Sequence, residues 1–134
     1  MKINNVVVIG SGTMGSGIAA QLCNANIPVT LLDLKTEISQ KAKERIEKSR
    51  PPLLIDKSKI DGIKVGNISD DFNIVSEADW IVEAVVERID IKHDIYEKIF
   101  KQRKKDSIVS SNTSSIPIKV LSQNLNKDQK KDFC

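Results

Sequence analysis

The chain has 134 residues, with 21 Lys plus Arg against 18 Asp plus Glu, a 40% hydrophobic share and 29% charged residues. That is the size of one globular domain able to bury a core, and the composition excludes a disordered chain. A charge this balanced argues against a nucleic-acid or membrane-surface module, and an aromatic share of 4% leaves almost no platform for stacking bases.

The β-branched run Val6-Val7-Val8-Ile9 reads as a strand buried on both faces, ended by Gly10. A helix follows from Met14 to Asn26, with Met14, Ile18, Leu22 and Ala25 at helical spacing and Ala19, Ala20 and Cys23 filling the same face. Pro28 stops it, and Val29 to Leu32 forms a second strand closing on Asp33. A polar helix is expected from Thr36 to Ser49, presenting Ile38, Ala42, Arg45 and Ile46, and ended by Pro51-Pro52. Between Leu53 and Asn73 only a turn at Asp61-Gly62 and a short strand from Ile63 to Val65 stand out. Trp80 to Val86 predicts a strong strand, Ile89 to Lys104 a helix with Ile91, Ile95 and Ile99 on one face, and Ser107 to Ser110 a further strand. Pro117 fits the first turn of a helix running to Leu125. Strands alternating with helices of this length predict a single α/β domain of Rossmann type, a doubly wound parallel sheet with helices on both faces.

Cys23 sits inside an apolar helical pattern and Cys134 is the last residue, so no disulfide framework is expected. One histidine and no Cys-x-x-Cys leave no zinc spacing, so no metal is expected. No window approaches the roughly 20 apolar residues of a membrane span. Together these give the expectation of a soluble, cytoplasmic protein with neither membrane nor nucleic acid as partner. The lysine-rich stretches around Lys101 to Lys105 and Lys127 to Lys131 read as solvated helix ends.

Gly10-Ser11-Gly12-Thr13-Met14-Gly15 fits G-x-G-x-x-G, and four of the six glycines lie between positions 10 and 17. Gly10 permits the turn from strand to helix, Gly12 keeps side-chain atoms away from a pyrophosphate, and Gly15 allows close helix–sheet packing. Helix N–H groups and the helix dipole then face the phosphates. The motif follows a buried strand and opens a helix, and Asp33 lies 23 residues past Gly10 at the end of the next strand. A carboxylate there accepts hydrogen bonds from an adenine ribose and repels a 2′-phosphate, which favours NAD over NADP; Lys35 stands close by as a solvated cation.

Three stretches carry a resemblance: Gly10 to Ala19, the run Ala78 to Glu87 (A-D-W-I-V-E-A-V-V-E) with Lys92, and S-S-N-T-S-S from Ser110 to Ser115. Together they resemble the NAD-binding domain of the L-3-hydroxyacyl-CoA dehydrogenases of fatty-acid β-oxidation. The resemblance implies that the loop Gly10, Ser11, Gly12, Thr13, Met14 and Gly15 binds the NAD pyrophosphate and that Asp33 binds the adenosine ribose. It further implies that Glu87, Lys92 and Asn112 line the cofactor site, and that Ser114 contacts the acyl-CoA substrate beside the hydroxyl being oxidised. Ser49 aligns with a coenzyme A contact, whereas Pro51-Pro52 and a shorter connection stand where the family carries a further lysine. The bland alternatives are that Glu83 and Glu87 are polar strand ends and that Asn112 and Ser114 cap the next helix.

Hydride removal from a secondary alcohol needs a base for the hydroxyl proton. The family supplies a histidine a little over twenty residues past the S-N-T-S-S turn. Aligning Asp132-Phe133-Cys134 with the strand leading into it places that histidine just past the C-terminus, with the helical substrate and dimerisation domain beyond. His93, the single histidine, lies mid-helix beside Lys92 and is not expected to be catalytic. Two readings stay open. One is the cofactor domain of a dehydrogenase, inactive and monomeric alone; the other is a stand-alone NAD-binding module or split subunit.

Overall fold

The computed structural model describes residues 2–134. Five strands, β1 (Val6–Ile9), β2 (Val29–Asp33), β3 (Ile63–Asn67), β4 (Trp80–Glu83) and β5 (Ile108–Ser111), pair in the order β3-β2-β1-β4-β5. All four pairings are parallel, in registers such as Val6 with Val29 and Val6 with Trp80. The helices are α1 (Thr13–Asn24), α2 (Thr36–Lys48), α3 (Ile89–Gln102), α4 (Ile118–Leu121) and α5 (Lys127–Lys131). The chain winds outward from β1 through β2 to β3, then returns to β4 on the other side. β1 and β4 therefore flank the point where the winding reverses, where a parallel sheet opens a crevice at its carboxyl edge.

Strand side chains alternate between two cores. Val6, Val8, Val29, Leu31, Ile63 and Val82 face α1 and α2, packing on Ala19, Cys23, Ala42 and Ile46. Val7, Ile9, Leu32, Ile81 and Val109 face the other way, onto Ile95, Tyr96 and Ile99 of α3 and Leu121 of α4. Ile9, Leu31, Leu32, Ile63 and Ile81 are completely buried, each contributing about 1.5–3 kcal/mol of hydrophobic stabilisation. The doubly wound architecture expected from the alternating pattern is the one found.

Several boundaries move for local reasons. Helix α1 ends at Asn24 rather than Asn26, because Asn26 adopts a left-handed φ of 62° and Ile27 N donates back to Leu22 O at 3.0 Å. Met14 does not join the buried face of α1: it is 60% exposed, and the buried stripe runs through Gly15, Ser16, Ala19, Ala20, Leu22 and Cys23. β3 extends to Asn67, since Asp33 pairs with it and lengthens β2 by one residue. β4 stops at Glu83, three residues before Val86, because the chain leaves the sheet to cross over the glycine loop, with Ala84 N still donating to Ile9 O at 2.7 Å.

Helix α3 ends at Gln102, ahead of Lys104, and β5 starts at Ile108. Pro117 is the N-cap of α4, with ψ of 141°, and that helix is a single turn. The helix expected to reach Leu125 instead breaks, and α5 starts afresh at Lys127, capped by Asn126, which forms a reciprocal capping box with Gln129. The last residues run along β5 as a parallel bridge between Val109 and Phe133, with Cys134 N donating to Val109 O at 2.9 Å. Cys23 and Cys134 are free thiols, the first buried and donating to Lys59 O.

Candidate functional site

The glycine loop occupies the reversal point. Gly10 has φ of 106°, and a Cβ there would lie 2.3 Å from Ala84 O. A Cβ on Gly15 would lie 1.8 Å from Gly10 O, so these two glycines are required by the backbone itself. Gly12 differs: a Cβ there would meet nothing within 4 Å, because it would project into the open crevice. Gly12 is also the N-cap of α1 and has no side-chain cap, which leaves the first-turn N–H groups directed at the crevice. A gap kept free of side chains at a helix N-terminus is the cradle that a pyrophosphate requires.

On the β2 side, Asp33 closes its strand with a half-buried carboxylate. Oδ2 accepts from Ser11 N at 2.8 Å and from Ser11 Oγ at 2.5 Å, and Oδ1 accepts from Leu34 N at 2.7 Å. Ser11 is also held through its carbonyl, which accepts from Ser16 Oγ at 2.9 Å and from Arg45 Nη2 at 3.0 Å. A cavity of about 520 Å³ opens beside these groups, lined by Gly10 to Met14, Asp33 and Arg45, with the apolar Leu34, Ile38, Val86 and Ile91 completing its wall. Carboxylate and apolar surface in one pocket suit a ribose and a flat base. The helical spacing that places Arg45 on one face of α2 carries no mark of its reach to the loop.

The β4–β5 side is closed and ionic. Glu83 and Lys92 are both 0% exposed and form an ion pair at 2.6 Å. Glu83 accepts three further hydrogen bonds, from Tyr96 Oη at 2.5 Å, Ser111 Oγ at 2.7 Å and Val85 N at 2.9 Å. Burial, then the bond to Glu83, holds the Tyr96 phenol well above its ordinary range. The Lys92 ammonium also reaches Glu87 Oε1 at 3.2 Å. Glu87 in turn gathers the S-N-T-S-S turn: its carboxylate accepts from Thr113 Oγ1 at 3.0 Å, Ser114 N at 2.9 Å, Ser115 N at 3.1 Å and both serine hydroxyls. These bonds, led by the Ser114 amide and joined by Lys92, hold the Glu87 carboxyl far below the usual carboxylate range. A hollow of about 280 Å³ lies above, lined by Met14, Ala84, Val85, Glu87, Asn112, Thr113 and Ser114.

The expected site residues thus fall into three groups. The loop, Asp33, Glu87, Asn112 and Ser114 meet at the carboxyl edge of the sheet. Lys92 reaches the same place from beneath, sealed from solvent, and bears on the surface through Glu87. Ser49 lies elsewhere. Helix α2 runs back from the crevice, and Ser49 ends it, donating to Ile46 O at 3.0 Å and accepting from Leu53 N at 2.9 Å. Its hydroxyl closes a local turn at the opposite edge of the sheet. His93 packs against the α4 segment, with Nε2 3.0 Å from Val120 O and Nδ1 3.2 Å from Asn124 Nδ2, and lines neither hollow. The lysine-rich stretches are partly paired, Lys104 with Asp79, Arg103 with Asp132 and Lys101 with Glu97. Among the described residues no helix is long and apolar enough to cross a membrane.

Comparison with known proteins places this architecture. Residues 5–133 match the protein family described as 3-hydroxyacyl-CoA dehydrogenase, NAD binding domain. A Deinococcus radiodurans protein named as a probable 3-hydroxyacyl-CoA dehydrogenase is 41% identical over 99% of this chain and 40% of its own length. A Rickettsia felis protein named for the fatty acid oxidation complex trifunctional enzyme is 40% identical over 98% of this chain and 19% of its own. The solved structure of a diketoreductase superposes with a TM-score of 0.83 at 30% identity, covering 99% of this chain and 49% of that one. The chain spans less than half the length of each of these proteins.

Proposed function

The chain belongs to the NAD-binding domain family of the 3-hydroxyacyl-CoA dehydrogenases, NAD-dependent oxidoreductases, and from that premise we propose that it is the cofactor half of an enzyme oxidising L-3-hydroxyacyl-CoA to 3-oxoacyl-CoA. The observation that carries this reading is the convergence of the open Gly12 cradle, Asp33 and the Glu87-held turn on one crevice.

Each residue has a part in it. The amides from Gly12 to Met14, at the N-terminus of α1, take the pyrophosphate, while the Ser11 amide and hydroxyl hold Asp33. Asp33 takes the adenosine ribose and excludes a 2′-phosphate. Glu87, with Lys92 beneath it, sets the turn carrying Asn112 and Ser114, and Ser114 faces the acyl-CoA end. When bound, NAD supplies the hydride acceptor. His93 is tied into helix packing, so the base for the hydroxyl proton in such an enzyme is another histidine. Such an enzyme also carries a helical substrate and dimerisation domain, and the cofactor domain alone is monomeric. Two unpaired cysteines favour the cytoplasm as its compartment.

Calorimetric titration of the purified chain tests this. NAD binds, NADP binds more weakly, and Asp33→Ala weakens NAD about ten- to hundredfold, the worth of one or two hydrogen bonds to a charged group. A parent chain with no affinity for NAD overturns the reading. Oxidation of 3-hydroxyacyl-CoA by the chain alone, followed as NADH absorbance, overturns the assignment of the base.

A further inference from the structure

The crevice holds two adjoining hollows. The cavity with Asp33 reaches from the end of β2 to Val86 and Ile91, and the smaller hollow lies next to it over the S-N-T-S-S turn, the two sharing Met14, Ala84 and Val85. A dinucleotide lies across such a reversal point with one half on each side of its pyrophosphate. With the adenosine taken by Asp33, the nicotinamide half belongs over the β4–β5 hollow. Glu87 is the one charged residue among those lining it.

Beneath Glu87 the charges form a closed set. Glu83 and Lys92 sit in full burial at 2.6 Å, and Lys92 is shared with Glu87 at 3.2 Å, which itself keeps 31% of its side chain exposed. Two carboxylates and one ammonium carry a net charge of −1. Glu83 accepts four donors, and Glu87 gathers the amides of Ser114 and Ser115. The nicotinamide ring carries a unit positive charge in NAD⁺ and none after accepting hydride. A fixed negative charge in a partly desolvated hollow therefore acts on one redox form and not the other.

We propose that the Glu83–Lys92–Glu87 cluster is a redox-state selector, whose net negative charge holds NAD⁺ in preference to NADH, with Glu83 as a buried positioning residue that sets the charge. This rests on the NAD reading above. It gives the buried pair a purpose that turn geometry alone does not need, since apolar packing holds a turn as well as an ion pair does. It also suits an oxidising direction, because a cofactor released more readily once reduced clears the site.

The test is the ratio of the NADH to the NAD⁺ dissociation constant, measured on the full chain by calorimetry. A purely structural loss weakens both forms together and leaves the ratio unchanged. Glu87→Gln brings the cluster to zero charge and lowers the ratio about fivefold, and Glu83→Gln lowers it about threefold from a position that touches no ligand. Glu83→Gln combined with Lys92→Gln restores the net charge of −1 and returns the ratio to within about twofold of the parent. Should Glu83→Gln prove unfolded by circular dichroism, Glu87→Gln against the double variant makes the same comparison. A ratio unmoved by Glu87→Gln, or a double variant that moves it as far as Glu87→Gln does, overturns the selector while leaving NAD binding intact. A parent that binds neither form overturns the cofactor reading itself, and the selector with it.

Discussion

On the β2 side of the crevice Asp33 stands half-buried, its carboxylate bonded to Ser11 and to the Leu34 amide beside an open, partly apolar cavity. On the β4 side Glu83 is sealed from water, and Lys92, Tyr96, Ser111 and the Val85 amide use every acceptor position it has. The two acids end neighbouring regions of one sheet, yet their surroundings assign them opposite tasks. Asp33 keeps contact with solvent, and under the proposed function its replacement is expected to change NAD affinity. Glu83 meets only protein, and replacing its partner is felt in folding. A carboxylate at the carboxyl edge of a parallel sheet is therefore not by itself a ligand contact. Burial and the number of committed donors decide which kind it is.

Lys92→Met is the strongest way to sharpen this contrast. It leaves Glu83 as a buried carboxylate without its cation, and chemical denaturation is expected to show a loss of about 3–5 kcal/mol. A loss below about 1 kcal/mol would mean that water reaches the pair and that the two sides are alike. Gly12→Val probes the other side. Its side chain enters the empty cradle, so NAD affinity falls tenfold or more, about 1.4 kcal/mol or greater, with the unfolding midpoint little changed. Strong destabilisation would show instead that Gly12 is a structural glycine like Gly10 and Gly15.

The smallest effect concerns acid. Glu87 has its carboxyl depressed in the folded state from an ordinary 4.5, so its contribution is complete above pH 4.5 and is lost as the pH falls below that value. Thermal unfolding from pH 5 downward should decline less steeply in Glu87→Gln than in the parent. Identical slopes would show that Glu87 does not hold the Thr113–Ser115 turn through its charge.

Much of this arrangement was legible along the chain. All five strands follow from runs of β-branched or aliphatic residues, the turn follows from Gly10 to Gly15, and the position of Asp33 at the end of the second strand follows from one βαβ unit. Glu87 and Ser114, 27 positions apart, were expected in one site and meet there. The misses share a cause. Met14 fits the helical period of α1 but projects from its first turn, over the crevice rather than over the sheet. Val85 and Val86 look like strand, yet the chain must leave the sheet after Glu83 to pass the loop. Arg45, Tyr96 and Ser111 gave no local sign of the partners they reach.

Sequence alone determined which segments are strands, which turn has room for a phosphate and which acid follows it, because these depend on residues a few positions apart and on the intrinsic limits of glycine and branched side chains. Only the tertiary structure decided that Glu83 and Lys92 form a sealed pair shared with Glu87, and that Arg45 braces the loop. Those contacts join elements brought together by sheet order and crossover handedness. The strength with which a charge acts depends on how much water that packing leaves beside it.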